Sequence, residues 1–186
     1  EDEAYTEADK QLMYYMLTYA NEAYKYFGDK ENYNATITAL LETYATAKGE
    51  GMAEQTYAKA IENLAFGTVI TEATVNLGAA PAFVFTVAEG FDGTITVTYA
   101  GNTKELVVKD GKAIVNGMKV YNFGADVTVT AVGTVNGEAV NETATYNLDT
   151  FVKYHVESED PASVACVDLL KALYDYVACA DLYTKD

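Results

Sequence analysis

Apolar residues recur at helical spacing over the first third of the chain, alternate with polar ones through the middle, and return to helical spacing at the end. In the first helix the apolar stripe runs Met13, Met16, Leu17, Ala20, Ala23, Phe27, with Thr6 as N-cap and Gly28 as the stop. After the polar link Asp29–Asn34, a second helix carries Ile37, Leu40, Leu41, Tyr44 and Ala45, with Asn34 or Thr36 as its cap. Gly51 opens a third, with Met52, Tyr57, Ala58, Ile61 and Leu64 on its period, and Gly67 closes it. From Thr68 the period is two, as in Val69, Thr71, Ala73, Val75 and Leu77. The Thr- and Val-rich middle predicts strands near 68–77, 82–88, 94–100, 104–109, 112–116, 126–133 and 138–146. Turn residues separate them: Glu89–Gly93, Ala100–Asn102, Asp110-Gly111 and Asn136-Gly137, the last two being hairpin signals. After Tyr146, Leu148, Phe151, Val152 and His155 fall at i, i+3, i+4 and i+7. Asp160 and Pro161 then suit the N-cap and first position of a last helix.

This pattern predicts an α+β chain: a helical segment over 1–66, a β-sandwich of about seven strands over 67–147, and helices over 148–186. Short strands with turns every 8–12 residues point to an immunoglobulin-like sandwich, here without the Cys…Trp…Cys core of antibody domains, since the chain has no Trp. One helical pattern occurs twice. With Gln11–Phe27 laid on Asp168–Thr184, Leu12 meets Leu169, Tyr19 meets Tyr176, Ala23 meets Ala180 and Tyr26 meets Tyr183. Positions 12, 19 and 26 share one helix face. The repeat predicts that the C-terminal helices pack back on the N-terminal ones, with the Tyr19 and Tyr176 helices in contact.

Composition narrows the functional classes. Half of the 186 residues are hydrophobic, enough for a sizeable core. The net charge is −16, with a pI of about 4.3. Such a surface repels phosphate backbones and anionic membranes, so neither nucleic acid nor membrane insertion is expected. No stretch of about 18 apolar residues is present to span a bilayer. Cys166 and Cys179 fall on one predicted helix, about 20 Å apart, too far to bridge, and read as small buried residues. The sequence begins Glu1-Asp-Glu without Met, as a mature or trimmed chain would.

Several stretches resemble a known pattern. Helices of the form Leu-x-x-x-Met/Leu-Leu/Tyr-x-Tyr-x-x-x-Ala-x-x-Tyr-Phe, Gly93-Thr-Ile-Thr-Val-Thr-Tyr-Ala-Gly-Asn-Thr103, Val120-Tyr-Asn-Phe-Gly-Ala-Asp-Val-Thr-Val-Thr130 and Asp168-Leu-Leu-Lys-Ala-Leu-Tyr-Asp-Tyr176 are similar to those of a helix-flanked β-sandwich module. That module recurs in large secreted, multimodular proteins of anaerobic Gram-positive gut bacteria. Tyr176-Val-Ala-Cys179 departs from the module's usual Tyr-Gly-Ala-Ala. The resemblance implies a secreted or cell-surface setting, neighbouring modules in the same polypeptide, and a non-enzymatic role. It carries no catalytic residues.

There is no P-loop, HExxH or CxxC, and no metal or cofactor is expected. The single histidine, His155, continues an apolar stripe and reads as half-buried. Glu157, Glu159 and Asp160 complement the start of the last helix and match no calcium loop. Lys104, Lys109, Lys112 and Lys119, with Asn102, Asn116 and Asn141, would be the partners for a Lys–Asn isopeptide link, which also needs a buried acid. Phe91 in Glu-Gly-Phe-Asp-Gly, where a core role is hard to arrange, and Tyr121 beside Phe123 are the aromatics available near turns. Phe91, Asp92, Tyr121 and Asn122 are therefore the candidate ligand-binding residues, for a carbohydrate or a surface protein. The expected role is non-catalytic adhesion or binding, with a structural spacer between modules as the alternative.

Overall fold

The computed structural model describes residues 5–28, 34–48, 67–77 and 81–184. The third helix read from the sequence lies outside them. The chain forms two compact units, Glu1–Lys59 with Val152–Asp186, and Ala60–Phe151.

Among the described residues of the second unit, eight strands form two four-stranded antiparallel sheets. These are β1 (Ile70–Asn76), β2 (Ala82–Val87), β3 (Phe91–Tyr99), β4 (Asn102–Leu106), β5 (Val108–Lys109), β6 (Lys112–Val115), β7 (Val127–Val135) and β8 (Glu138–Tyr146). The strand orders are β1-β2-β6-β5 and β4-β3-β7-β8. Ala100-Gly101, Asp110-Gly111 and Asn136-Gly137 each hold two successive positive φ values, joining β3 to β4, β5 to β6 and β7 to β8. This is the backbone of a two-residue hairpin turn.

The count exceeds the expected seven because the stretch 104–109 divides. It leaves one sheet after Leu106 and enters the other at Val108, with Val107 between them 84% exposed. A run that changes sheets has no single inward face, so period-two reading misses the break.

Inward positions follow the alternation. Phe83 and Phe85 of the first sheet face Tyr146 of the second, with ring centroids 6.1 and 6.4 Å apart, and Phe123 stacks on Phe83 at 4.7 Å. Ile95, Val97, Val127, Val129 and Ala131 complete the buried layer. The outward face of the second sheet is rich in threonine. Thr98–Thr103, Thr128–Thr145 and Thr130–Thr143 hydrogen-bond in pairs across neighbouring strands at 2.9–3.2 Å.

Two inward-facing charges sit on the edge strands of that sheet, and each bonds to the backbone of the opposite sheet or its adjoining loop. On β8, Glu142 shares the inward parity of Ala144 and Tyr146. Its carboxylate accepts the backbone N–H groups of Thr68, Val69 and Ile70 at 2.6–2.8 Å. A Cβ at residue 67 would meet the same carboxylate, which would have to shift from its three N–H groups to make room. On β4, Lys104 shares the parity of buried Leu106 and donates to the carbonyl of Asn116, just after β6, at 3.0 Å. Inward charges on edge strands also discourage strand addition.

The helical unit contains α1 (Glu7–Phe27), α2 (Asn34–Tyr44) with a 3-10 turn at Ala45–Ala47, and α4 (Pro161–Tyr183). The intervening α3 (Leu148–Glu157) begins in the sandwich unit and ends in the helical one. Thr6 and Asp9 form a reciprocal capping box, and Gly28 ends α1 in the left-handed region. α2 starts at Asn34, which puts Thr36 inside its first turn rather than at its cap. Asp160 caps α4 through Ser163 N, with Pro161 at its start. Cys166 and Cys179 are buried and unbridged.

α1 and α4 pack antiparallel. Tyr183, at the end of α4, donates to Asp9 at the start of α1 at 2.7 Å. At the middle of both helices the Tyr19 and Tyr176 rings stack 6.1 Å apart. The face of α1 that packs differs from the expected stripe: Met16 and Phe27 are exposed, while Tyr15 is buried and its hydroxyl reaches the carbonyl of Lys48. A tyrosine can bury its ring and still bond its hydroxyl, so Tyr15 and Tyr19, one turn apart, supply the interface that a hydropathy stripe assigns to Met.

Replacing Glu142 with Ala should lower the stability of the sandwich by about 2–3 kcal/mol, because three N–H groups lose a charged acceptor. Glu142→Gln should lose about half as much, and Glu138→Ala, an exposed change on the same strand, less than about 0.5 kcal/mol. Denaturant midpoints, with amide exchange at Val69 and Ile70, measure this. For the helical unit, Tyr19→Ala should cost about 2 kcal/mol, and Tyr19→Phe, which keeps the stacked ring, under about 0.5 kcal/mol.

Candidate functional site

The four residues selected from sequence do not form one site. Phe91 and Asp92 lie in β3 rather than in a turn, opposite Val135 and Thr134 of β7. The turn is confined to Glu89-Gly90. Phe91 shares the inward parity of Ile95 and Val97, and its ring lies over Gly93, which faces Gly133 across the strands. Two facing glycines leave a hollow that the half-buried ring covers. Asp92 projects to the opposite face and is exposed.

Tyr121 and Asn122 lie in the 3-10 turn Val120–Asn122, which leads into the other end of β7. The length of β7 separates the two pairs by roughly 27 Å.

At the Tyr121 end the strands assemble a different group. β3 finishes there, since Thr98 pairs with Thr128 near the start of β7, and Tyr99 is the next residue. The Lys104 ammonium lies 5.4 Å from the centre of the Tyr99 ring, and that of Lys119 lies 5.7 Å from the centre of the Tyr121 ring. Both separations are within cation–π range. The Lys104–Asn116 bond fastens the loop 116–122 to β4. Phe123, 3% exposed, plugs the loop into the core. Tyr99, Tyr121 and Asn122 are half-buried, and Lys119 is exposed. That end of the sandwich thus carries two lysine–tyrosine pairs, with Asn122 next to Tyr121 in the chain.

Of these residues, Tyr121 and Asn122 are binding candidates from sequence, Lys104 and Lys119 are candidates only for a Lys–Asn link, and Tyr99 is not singled out. The alternation Asn102, Lys104, Leu106 carried a signal for Lys104, because the buried Leu106 fixes the inward side of β4. The ammonium of Lys104 meets a backbone carbonyl rather than an asparagine amide, and Asn116 is exposed, so this is not the dry Lys–Asn–acid arrangement of an isopeptide link.

A second polar cluster joins α3 to α4. His155 Nδ1 and Ser163 Oγ are 2.7 Å apart, and Ser163 is 4% exposed. Burial pushes the imidazole below its ordinary pKa, opposed by the nearby Asp160 carboxylate. Asp160 is engaged as the N-cap, accepting Ser163 N at 3.1 Å. Among the described residues no three metal-ligating side chains converge, and no helix is long and apolar enough to cross a membrane. Comparison with protein-family models, with characterised proteins and with solved structures finds no match to the chain.

The pH dependence of the helical unit follows from His155. Its folded pKa lies below its unfolded value of about 6.5, so the unfolded chain takes the proton first. The stability this gives is complete above the unfolded value and is lost as pH falls from there toward the folded one. In thermal melts at pH 7.5 and pH 5, the wild type should lose more stability than His155→Gln. Equal losses in the two proteins would contradict the assignment.

Proposed function

We propose that the chain is a non-catalytic ligand-binding or adhesion module of a secreted or cell-surface bacterial protein, built around an immunoglobulin-like sandwich. The strand orders β1-β2-β6-β5 and β4-β3-β7-β8 support the fold reading, since they correspond to the ABED and C′CFG orders of such domains. The setting rests on the resemblance of the terminal helices and the Gly93–Thr103 stretch to modules of large secreted proteins. The observation that carries binding is the rim of Tyr99, Lys104, Lys119, Tyr121 and Asn122. Its rings are only half-buried, so they retain exposed surface beside polar groups, the combination that holds and orients a saccharide or a protein side chain. Neighbouring modules of the same polypeptide are further partners. Nucleic acid and membrane insertion do not suit the acid excess.

A spacer is the second reading. The Tyr183–Asp9 bond weighs against it, because a chain led into α1 and out of α4 would enter and leave at one point and add little length.

On a glycan array, with affinity electrophoresis on polysaccharides, the wild type should be retained by at least one glycan. Tyr121→Ala should weaken that retention ten-fold or more, and Asp92→Ala should leave it unchanged. A blank array, or retention indifferent to Tyr121, counts against the reading.

A further inference from the structure

We propose that Asn116 is a site of spontaneous deamidation, selected by the fold over a second Asn-Gly pair and activated by Lys104. The inference stands apart from the binding reading above and needs no ligand. Asn-Gly occurs twice in the sequence, at Asn116-Gly117 and Asn136-Gly137. In both, the following glycine has no side chain to shield its own nitrogen, so the two pairs are chemically alike until the chain folds.

The reaction is an internal ring closure. The Gly117 nitrogen attacks Cγ of Asn116, an N–Cγ bond forms and the bond from Cγ to the side-chain nitrogen breaks. The proton lost by Gly117 ends on that nitrogen, which leaves as ammonia. Water then opens the resulting succinimide at either carbonyl. Opening at Cγ gives an aspartate side chain. Opening at the main-chain carbonyl gives isoaspartate: the backbone runs through Cγ, and the former main-chain carbonyl carbon becomes a free carboxylate.

The fold treats the two pairs differently. Residues 116–119 lie in no helix or strand, and Asn116 is exposed. Among the described residues neither its side-chain amide nor the Gly117 N–H makes a hydrogen bond. Asn136 and Gly137 are instead held at φ of 52° and 87° in the turn between β7 and β8. Val135 and Glu138 pair on either side of them, and Asn136 N donates to the Gly90 carbonyl at 3.2 Å. Ring closure at Asn136 must work against those restraints, and a reacting pair held out of line reacts slowly.

Lys104 adds activation. Its ammonium donates to the main-chain carbonyl of Asn116 at 3.0 Å. That carbonyl and the Gly117 N–H belong to one peptide unit, so a cation on the oxygen draws charge from the nitrogen and eases loss of its proton. Both products place a new carboxylate at residue 116, where the ammonium already sits. Isoaspartate also lengthens the backbone by one carbon at the start of the loop 116–122 that carries Tyr121.

The test incubates the full chain at pH 8 and 37 °C, folded and in urea, and follows each asparagine by peptide mapping for the gain of one mass unit, with isoaspartate detected by enzymatic carboxyl methylation. In the folded chain Asn116 should convert roughly ten-fold or more faster than Asn136. In urea the two rates should converge, because only local sequence then acts. Lys104→Met should slow Asn116 in the folded chain about three-fold or more and leave Asn136 unchanged. Asn136 is an internal reference, since a variant that unfolded would bring the two rates together. Equal rates in the folded chain overturn the selection by the fold, as does a gap that persists in urea. A rate at Asn116 unchanged or raised by Lys104→Met overturns the activation.

Discussion

The bond from one carboxylate to three consecutive backbone N–H groups organises the sandwich. Among the described residues β1 has only β2 beside it, and no further strand accepts the N–H groups of its first residues. Glu142 supplies that acceptor from the opposite sheet. It acts where hydrophobic contact is least specific, since apolar burial has no direction and cannot by itself fix how far one sheet slides over the other. Three directional bonds can. On the other flank, Lys104 does the converse with a single carbonyl. The sandwich is thus pinned along both edges by charges of opposite sign, while Phe83, Phe85, Phe123 and Tyr146 fill the space between. Both pins act through the backbone, so they constrain the first sheet whatever its side chains are.

The helical unit solves a different problem. Two helices built on the same pattern can pack antiparallel about a local two-fold axis. Only one pair of equivalent residues then meets face to face, the pair nearest the axis. Tyr19 and Tyr176 are that pair. Away from the axis, equivalent residues meet different partners: Tyr183 finds Asp9, although its counterpart in the repeat is Tyr26. This accounts for the uneven fidelity of the two copies, because a residue far from the axis must match its local partner rather than its repeat. The Asp9 carboxylate serves two ends at once. Bonds from Thr6 and then from Tyr183 hold it below the usual carboxylate range.

Elements governed by local rules were legible in the sequence. Thr6, Gly28, Asp160 and Pro161 mark helix ends through groups within four residues, and Asn136-Gly137 marks a hairpin through two. What was not legible depended on partners far along the chain. The break at Val107 is invisible until two sheets exist to divide the run. Phe91 reads as a turn residue because Gly93 follows it, and only the pairing of Gly93 with Gly133, forty residues later, makes the ring a cover. Glu142 lies in Val-Asn-Glu-Thr-Ala-Thr-Tyr, where parity with Tyr146 points inward, and an inward acid looks like an error until the orphan donors of residues 68–70 are placed beside it. Of the four site residues, Tyr121 and Asn122 sit on the rim, and the lysines that give it charge could not be paired with tyrosines before β3, β4 and the loop were assembled.

The structural contacts of Lys104 restrict how its ammonium can be used. A lysine on an exposed strand samples many rotamers, and ordering it against a ligand opposes binding. Here the Asn116 carbonyl and the Tyr99 ring already restrict it, so much of that ordering is complete when the sandwich folds. Lys119 lacks such an anchor and stays exposed, with the Tyr121 ring as its only restraint among the described residues. The two ammonium groups thus differ in restraint: Lys104 is held by a carbonyl and a ring, and Lys119 by a ring alone among the described residues.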